Sequence, residues 1–270
     1  MKVVLFCGGL GMRIRDNGQD LPKPMVTIGY RPVLWHVMKY YAHYGHRDFI
    51  LCLGYKADTI KQYFLEYDEC LSNDFVLSGG GKKLDLVNRD IEDWRITFVD
   101  TGLKSSIGER LKAVERYVGD EEVFLANYAD GLTDLRLPDM VEHFRASGKT
   151  ASFLSVRPAQ SFHLVSIGEG DEVSGIQELK RAGLWVNGGY FILGRAIFDA
   201  IGQGEELVLQ AFQRLIARRE LVTYRYDGFW ACMDTFKDKQ QLDDLYTRGE
   251  APWEVWRAGD RQGAGPVLAR

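Results

Sequence analysis

Short apolar runs alternate with amphipathic stretches along most of this chain. Lys2 to Cys7 is one lysine and then an unbroken apolar run into Gly8 and Gly9, the mark of a strand covered on both faces. Pro32 to Tyr44 carries Val33, Val37, Tyr40, Tyr41 and Tyr44 on one stripe. Proline opens that segment and Gly45 closes it, so a helix is predicted. Phe49 to Leu53 reads as a strand, with Asp58 as N-cap of a helix reaching Tyr67. Ile96 to Val99, Gly108 to Tyr117, Val123 to Ala126 and Pro138 to Ser147 continue the alternation. Such a pattern predicts βαβ units: an α/β fold, Rossmann-like, with a mixed, mostly parallel sheet flanked by helices.

From Thr150 the β content rises, through Ser152 to Val156, Leu164 to Ile167, Val173 to Ile176 and Trp185 to Leu193. A β-rich second half of this kind is expected to lie over one end of the sheet and shape a substrate site. Leu207 to Arg219 reads as an amphipathic helix, Leu221 to Tyr226 as a strand and Asp238 to Arg248 as a helix. Between residues 68 and 94 the pattern breaks around Ser78-Gly-Gly-Gly-Lys-Lys83, which predicts a β-hairpin or lid inserted in the domain. Without a linker or an internal repeat, residues 1–250 are expected to form one domain. Residues 251–270 are then a partly loose tail, its last stretch rich in Gly, Ala and Arg.

Composition narrows the function. At 270 residues, 46% hydrophobic and 27% charged, the chain is long enough to bury a full core. A formal net charge of −4 argues against a general binder of nucleic acid or of membrane surfaces. An anion site must then be a local gathering of cations. The four cysteines (Cys7, Cys52, Cys70, Cys232) form no CxxC pair and read as free thiols in a reducing compartment. The opening run is too short for a signal peptide, and no stretch reaches the roughly 18 apolar residues of a membrane span. A cytoplasmic protein is expected.

The candidate chemistry begins where the first strand ends. Gly8, Gly9 and Gly11 let backbone N–H groups close on an anion, as phosphate-binding nests do. Arg13 brings a forked donor, and Lys23, between Pro22 and Pro24, brings a point charge on a backbone denied an α-helix. The stretch reads as a polyphosphate loop. Asp130, after an apolar strand and before Gly131, belongs at the carboxyl edge of the sheet. Asp234 lies in Trp230-Ala-Cys-Met-Asp-Thr235. Carboxylates in apolar surroundings call for a cation, and two facing a polyphosphate suit Mg²⁺; the blander reading is a turn aspartate and a helix N-cap. Asn187-Gly-Gly-Tyr190 breaks an apolar run with two glycines, either for close approach of a ligand or as a simple bulge. His43 and His46 lack a third ligand, and His36 and His163 read as structural.

Several blocks together resemble the sugar-phosphate nucleotidyltransferases, and within them the glucose-1-phosphate cytidylyltransferases. They are CGGLGMR, LPKPMVTIGYRPVLWHVMKYYAHYGHRDFILCLGYK, FVDTG, GERLKAV, YADGLTD, WVNGGYFIL and GFWACMDTFKDK, in the family's order. The resemblance implies a Mg²⁺-dependent condensation of a nucleoside triphosphate, CTP above all, with a sugar 1-phosphate, glucose 1-phosphate above all. Gly8, Gly9, Gly11, Met12, Arg13, Gly108 and Arg110 would hold the nucleotide, with Arg13 and Lys23 as catalytic cations. Asp130 and Asp234 would hold Mg²⁺, while Tyr128, Glu178, Lys180, Asn187 and Gly188 would face the sugar phosphate. A homo-oligomer is expected as well.

The chain departs from the family pattern in places. Met12 replaces a threonine, Ala129 stands in YADG where glycine is usual, and Glu109 replaces a glycine near the expected base pocket. Glu109 leaves UTP, dTTP or GTP, or another sugar, as the alternative. A nucleotide-sugar-binding regulator is a third reading, disfavoured by intact Arg13, Lys23, Asp130 and Asp234. GGLGMR lacks the GxGxxG spacing of an NAD(P) oxidoreductase.

Overall fold

Alternate residues of the first apolar run go to opposite faces of one sheet. Val3, Leu5 and Cys7 join one buried cluster, and Val4 and Phe6 join another. The computed structural model describes residues 1–9, 21–158 and 162–257. Its sheet has seven strands: β1 (Val3–Phe6), β2 (Asp48–Leu53), β3 (Arg95–Asp100), β4 (Val123–Asn127), β5 (Ala151–Val156), β6 (Val186–Gly194) and β7 (Leu221–Tyr226). Their spatial order is β7-β5-β6-β4-β1-β2-β3. Only β6 runs against its neighbours, β4 and β5; every other adjacent pair is parallel.

Helices cover both faces, as a sheet buried on two sides requires. On one face α1 (Val33–His43) and α4 (Leu137–Ser147) pack through Val37, Tyr40, Tyr41, Met140 and Phe144. On the other, α3 (Ile107–Val118) and α5 (Phe212–Arg218) contribute Leu111, Val114, Phe212 and Leu215. The remaining longer helices are α2 (Ala57–Leu65) and α6 (Phe236–Thr247). From β1 the chain builds outward through β2 to β3, then returns to place β4 on the other side of β1. This reversal is a topological switch point, where open α/β sheets bind ligands beyond their carboxyl ends. Gly8 lies two residues beyond β1, and Asp130 three residues beyond β4.

Three local expectations change. Asp58 is not an N-cap: α2 starts at Ala57 after Lys56 in the left-handed region, and Asp58 stands in the first turn, where its charge suits the helix dipole. The expected helix over 207–219 opens as a π-helix, Leu207–Ala211, before α5 takes over at Phe212. Residues 251–257, expected to begin the loose tail, pack against the core instead. Trp253 is 1% exposed, stacks on Phe229 at 5.8 Å and donates its indole N–H to His36 Nδ1 at 3.3 Å. Residues 258–270 lie outside the described part.

The break at 68–94 contains the hairpin Phe75–Ser78 with Lys83–Leu86, turned by Gly79, Gly80 and Gly81, all at positive φ. Its base is tied to α1, since the Asp90 carboxylate accepts from Lys39 at 2.8 Å, Tyr67 at 3.0 Å and Ser72 at 2.5 Å. No helix among the described residues is long and apolar enough to cross a membrane.

Candidate active site

A short two-stranded ribbon assembles the acidic pair. Gly131–Thr133, just after β4, pairs antiparallel with Trp230–Cys232, with Cys232 opposite Gly131. The Met233 amide then donates to the Asp130 carbonyl at 3.0 Å. The register therefore sets Asp130 and Asp234, 104 residues apart in sequence, side by side. Each is braced locally. Before Asp130, Ala129 adopts φ +63°, held by its amide donating to Asn127 Oδ1 at 2.7 Å. After Asp234, Thr235 caps α6 in a capping box, and Asp238 Oδ2 also accepts the Asp234 amide at 3.1 Å.

Lys23 closes the cluster. Its ammonium donates to Asp130 Oδ2 at 2.6 Å and Asp234 Oδ1 at 2.5 Å. Burial alone would lower the Lys23 pKa; the Asp130 charge and the hydrogen bonds to both aspartates outweigh it and hold the group well above its usual range. Asp130 moves up, because burial outweighs the opposing pull of Lys23. Two carboxylates this close call for a positive charge between them, and here the lysine supplies it. The prolines around Lys23 rule out an α-helix but accommodate one 3₁₀ turn, Lys23–Met25. Pro24 at its start loses no helical bond there, and the Met25 amide reaches the Pro22 carbonyl at 2.8 Å.

The glycine turn after β1 rests on Arg110, which is 3% exposed. The guanidinium donates to the carbonyls of Leu53 (3.1 Å) and Gly8 (3.0 Å) and to Thr101 Oγ1 (2.8 Å). A Cβ on Gly8 would stand 2.0 Å from Arg110 Nη1. Glycine is thus needed at residue 8 for the arginine beneath it. Gly9 faces open space. Gly108 needs its hydrogen because the Glu205 carbonyl lies 2.2 Å from where a Cβ would be. The Glu109 carboxylate accepts the Ser106 amide at 2.8 Å in the capping box that starts α3. Gly11, Met12 and Arg13 lie outside the described residues.

The NGG segment opens β6 and backs onto the Asp130 turn. Asn187 Nδ2 donates to the Tyr128 hydroxyl at 3.4 Å, and Asn187 Oδ1 accepts the Gly189 amide at 2.9 Å. The Gly188 carbonyl accepts from Trp230 Nε1 at 2.9 Å. Gly189, at φ +76°, leaves room for the Tyr128 ring, 2.7 Å from an added Cβ. Tyr128, Asn187 and Gly188 thus gather with Trp230 beside Asp130. Glu178 and Lys180 do not join them: Glu178 ends the second strand of the hairpin His163–Ile167 with Val173–Glu178 and pairs with Arg181 at 3.2 Å. Lys180 is exposed, and among the described residues neither bonds to the Lys23 cluster.

Residues 2–239 match the family model described as "Nucleotidyl transferase". The chain belongs to the nucleotidyl transferase family. It is 38% identical over 257 residues to the glucose-1-phosphate cytidylyltransferase of Salmonella typhimurium, covering 95% of this chain and 100% of that one. It is 33% identical over 258 residues to the probable glucose-1-phosphate cytidylyltransferase of Bacillus subtilis, with the same coverage. In fold it is similar to the crystal structure of UDP-glucose pyrophosphorylase complexed with UDP-glucose: TM-score 0.66, 15% identity, 92% of this chain and 98% of the other. The chain is accordingly an enzyme, a sugar-1-phosphate nucleotidyltransferase.

Three residues around the nucleotidyltransferase's acidic pair carried no assigned role in the sequence. Asn127 holds the Asp130 turn, Asp238 holds the Asp234 backbone, and Cys232 stands beside both carboxylates. Thr235 three residues before Asp238, at the head of an amphipathic stretch, is a capping-box signature that points to Asp238. Asn127 carried no such signal beyond its place two residues before Ala129. Cys232 Sγ lies 3.4 Å from Asp234 Oδ2 and 3.9 Å from Lys23 Nζ. Burial, then the Asp130 charge, pushes its thiol well above the usual range, so the sulfur is protonated as it stands. Asp130, Cys232 and Asp234 present donor atoms within 4.8 Å of one another, the one such group among the described residues. Two converging carboxylate oxygens fit a divalent cation.

Proposed function

We propose that this enzyme transfers a cytidylyl group from CTP to glucose 1-phosphate, releasing pyrophosphate. The observation that carries the reading is the Lys23 ammonium lodged between Asp130 and Asp234, with Asp130 following the strand that lies across the sheet's switch point. The cytidylyl and glucosyl choice rests on likeness to the Salmonella and Bacillus proteins. Glu109, the residue that argued for another base, spends its carboxylate on its own helix, which supports leaving the base choice unchanged.

In this reading a phosphate oxygen of the sugar 1-phosphate attacks the α-phosphorus of the nucleotide. A new P–O bond forms as the bond from the α-phosphorus to the bridging oxygen breaks, and pyrophosphate leaves with that electron pair. Neither step needs a protein nucleophile; positioning and charge neutralisation do the work. The amides of Gly8, Gly9, Gly11 and Met12 and the side chain of Arg13 cradle the triphosphate. Arg110 keeps the turn in shape from below, and Gly108 lets α3 pack close to the Glu205 carbonyl. Asp130 and Asp234 would hold Mg²⁺, which would supply positive charge against the phosphates. The Lys23 ammonium offsets negative charge on the attacked phosphate. Tyr128, Asn187 and Gly188 bound the sugar side. The reaction belongs in the cytoplasm.

The test is a matrix of nucleoside triphosphates against sugar 1-phosphates with Mg²⁺, read by pyrophosphate release. The reading expects its largest signal where CTP meets glucose 1-phosphate. A larger signal in another cell would overturn the substrate assignment, and silence across the matrix would overturn catalysis itself.

A further inference from the structure

The metal-binding cluster holds one donor that a Mg²⁺ enzyme does not need. Of the three converging groups, two are carboxylates and the third is the thiol of Cys232. Mg²⁺ is a hard cation that takes oxygen and leaves sulfur aside. Zn²⁺, Cd²⁺ and Co²⁺ accept thiolate and carboxylate together, with Zn–S near 2.3 Å and Zn–O near about 2.1 Å. Two such ligands on one tetrahedral ion stand about 3.6 Å apart. The observed separation of Cys232 Sγ and Asp234 Oδ2 is 3.4 Å. The third ligand comes from a different strand of the ribbon: Cys232 faces Gly131, and Asp130 is the next residue back. The three donors are therefore set by backbone register. A fourth position remains for water or a phosphate oxygen, as in open zinc sites.

We propose that Cys232 turns this site into a mixed sulfur–oxygen trap that binds thiophilic divalent cations in competition with the metal the reaction uses. Asp130, Cys232 and Asp234 are the ligands, and the Lys23 ammonium is displaced from between the carboxylates. Binding exchanges the thiol S–H for a metal–sulfur bond and releases the proton to solvent. The consequence is regulatory. An ion such as Zn²⁺ occupies the site more tightly than Mg²⁺ and holds the enzyme in an inhibited form, and a chelator restores it. The proposal rests on the reading of Asp130 and Asp234 as cation ligands. A thiol that merely fills space under Lys23 would show none of this.

The experiment titrates Co²⁺ or Cd²⁺ into the Mg²⁺-free enzyme and follows the thiolate-to-metal charge-transfer absorption, with Zn²⁺ and Mg²⁺ affinities measured alongside. The expected result is one saturating band in the wild type and in Cys70→Ser, lost in Cys232→Ser. Zn²⁺ affinity in Cys232→Ser should fall at least about tenfold, the usual cost of losing a metal ligand or its support, with Mg²⁺ affinity falling far less. A band that survives Cys232→Ser, or none in the wild type, overturns the proposal. So does an equal loss of Zn²⁺ and Mg²⁺ affinity, which would make Cys232 a packing residue. Asp130→Asn and Asp234→Asn separate the two readings. If they leave Mg²⁺ binding intact, the carboxylate assignment fails. If they abolish it while the wild type shows no band, only the thiol proposal fails.

Discussion

Asn127 Oδ1 accepts the backbone amide of Ala129 at 2.7 Å and holds that residue, fully buried and without glycine's freedom, at φ +63°. A left-handed alanine is strained, and a local side-chain bond is what offsets it. The chain leaves β4 through this turn, so the direction of Asp130 is set by it. Asn127→Ala would strand a buried amide and free the turn. It is expected to cost about 1–3 kcal/mol, read as a lower urea midpoint, with turnover falling as Asp130 loses its aim. An unchanged midpoint would show that the turn needs no brace.

The C-terminal strap makes the fold sensitive to acid. Burial pulls the His36 imidazole down to about 4, although the Ile28 carbonyl bonded to it favours the charged form. His46 is also lowered to about 4, by burial and then by the nearby N-terminal amine. Between these values and the ordinary 6.5 the unfolded chain binds protons that the folded chain refuses. Stability must fall as pH falls from about 6.5 to about 4, by roughly 3 kcal/mol for His36 alone. His36→Gln should shrink the loss between pH 7 and pH 4.5 by about 2–3 kcal/mol, measured by urea unfolding at both values. An equal loss in variant and wild type would place the acid sensitivity elsewhere.

Glu109 offers a separation of stability from specificity. Because its carboxylate closes the capping box of α3, Glu109→Ala should cost about 1 kcal/mol of stability. Its ratio of CTP to UTP turnover should stay at the wild-type value. A shifted ratio would return the residue to the base pocket.

Gly8 and Arg110 make a fourth case. A methyl group at residue 8 must push the guanidinium off the Leu53 and Thr101 oxygens. Gly8→Ala should lose about 1–3 kcal/mol through overpacking and weaken nucleotide binding with it, read by unfolding and by calorimetric titration. Wild-type stability in this variant would mean that Arg110 can relax without cost.

Local pattern made most of the sheet and helices legible, since a strand buried on two faces reads as an unbroken apolar run. Asp130 and Asp234 were legible for a related reason: a carboxylate among Leu, Trp, Cys and Met is costly enough to need a purpose. What stayed hidden depends on contacts far apart in sequence. The pairing of Gly131–Thr133 with Trp230–Cys232, which brings the aspartates together, has no signature in either three-residue strand. Trp253 sits in a stretch with no periodicity, so its docking on His36 and Phe229 was invisible. The π turn at Leu207–Ala211 follows ordinary amphipathic spacing, and Cys232 read as one more buried thiol.

Lys23, placed 2.6 Å from Asp130 and 2.5 Å from Asp234, is the central cation of the site. The decisive measurement is steady-state pyrophosphate release by Lys23→Ala with CTP, glucose 1-phosphate and Mg²⁺, alongside a circular dichroism check of the fold. A catalytic role for Lys23 predicts a folded protein whose turnover is lower by at least about a hundredfold, the scale of lost preorganised charge. Turnover near the wild-type value would contradict it.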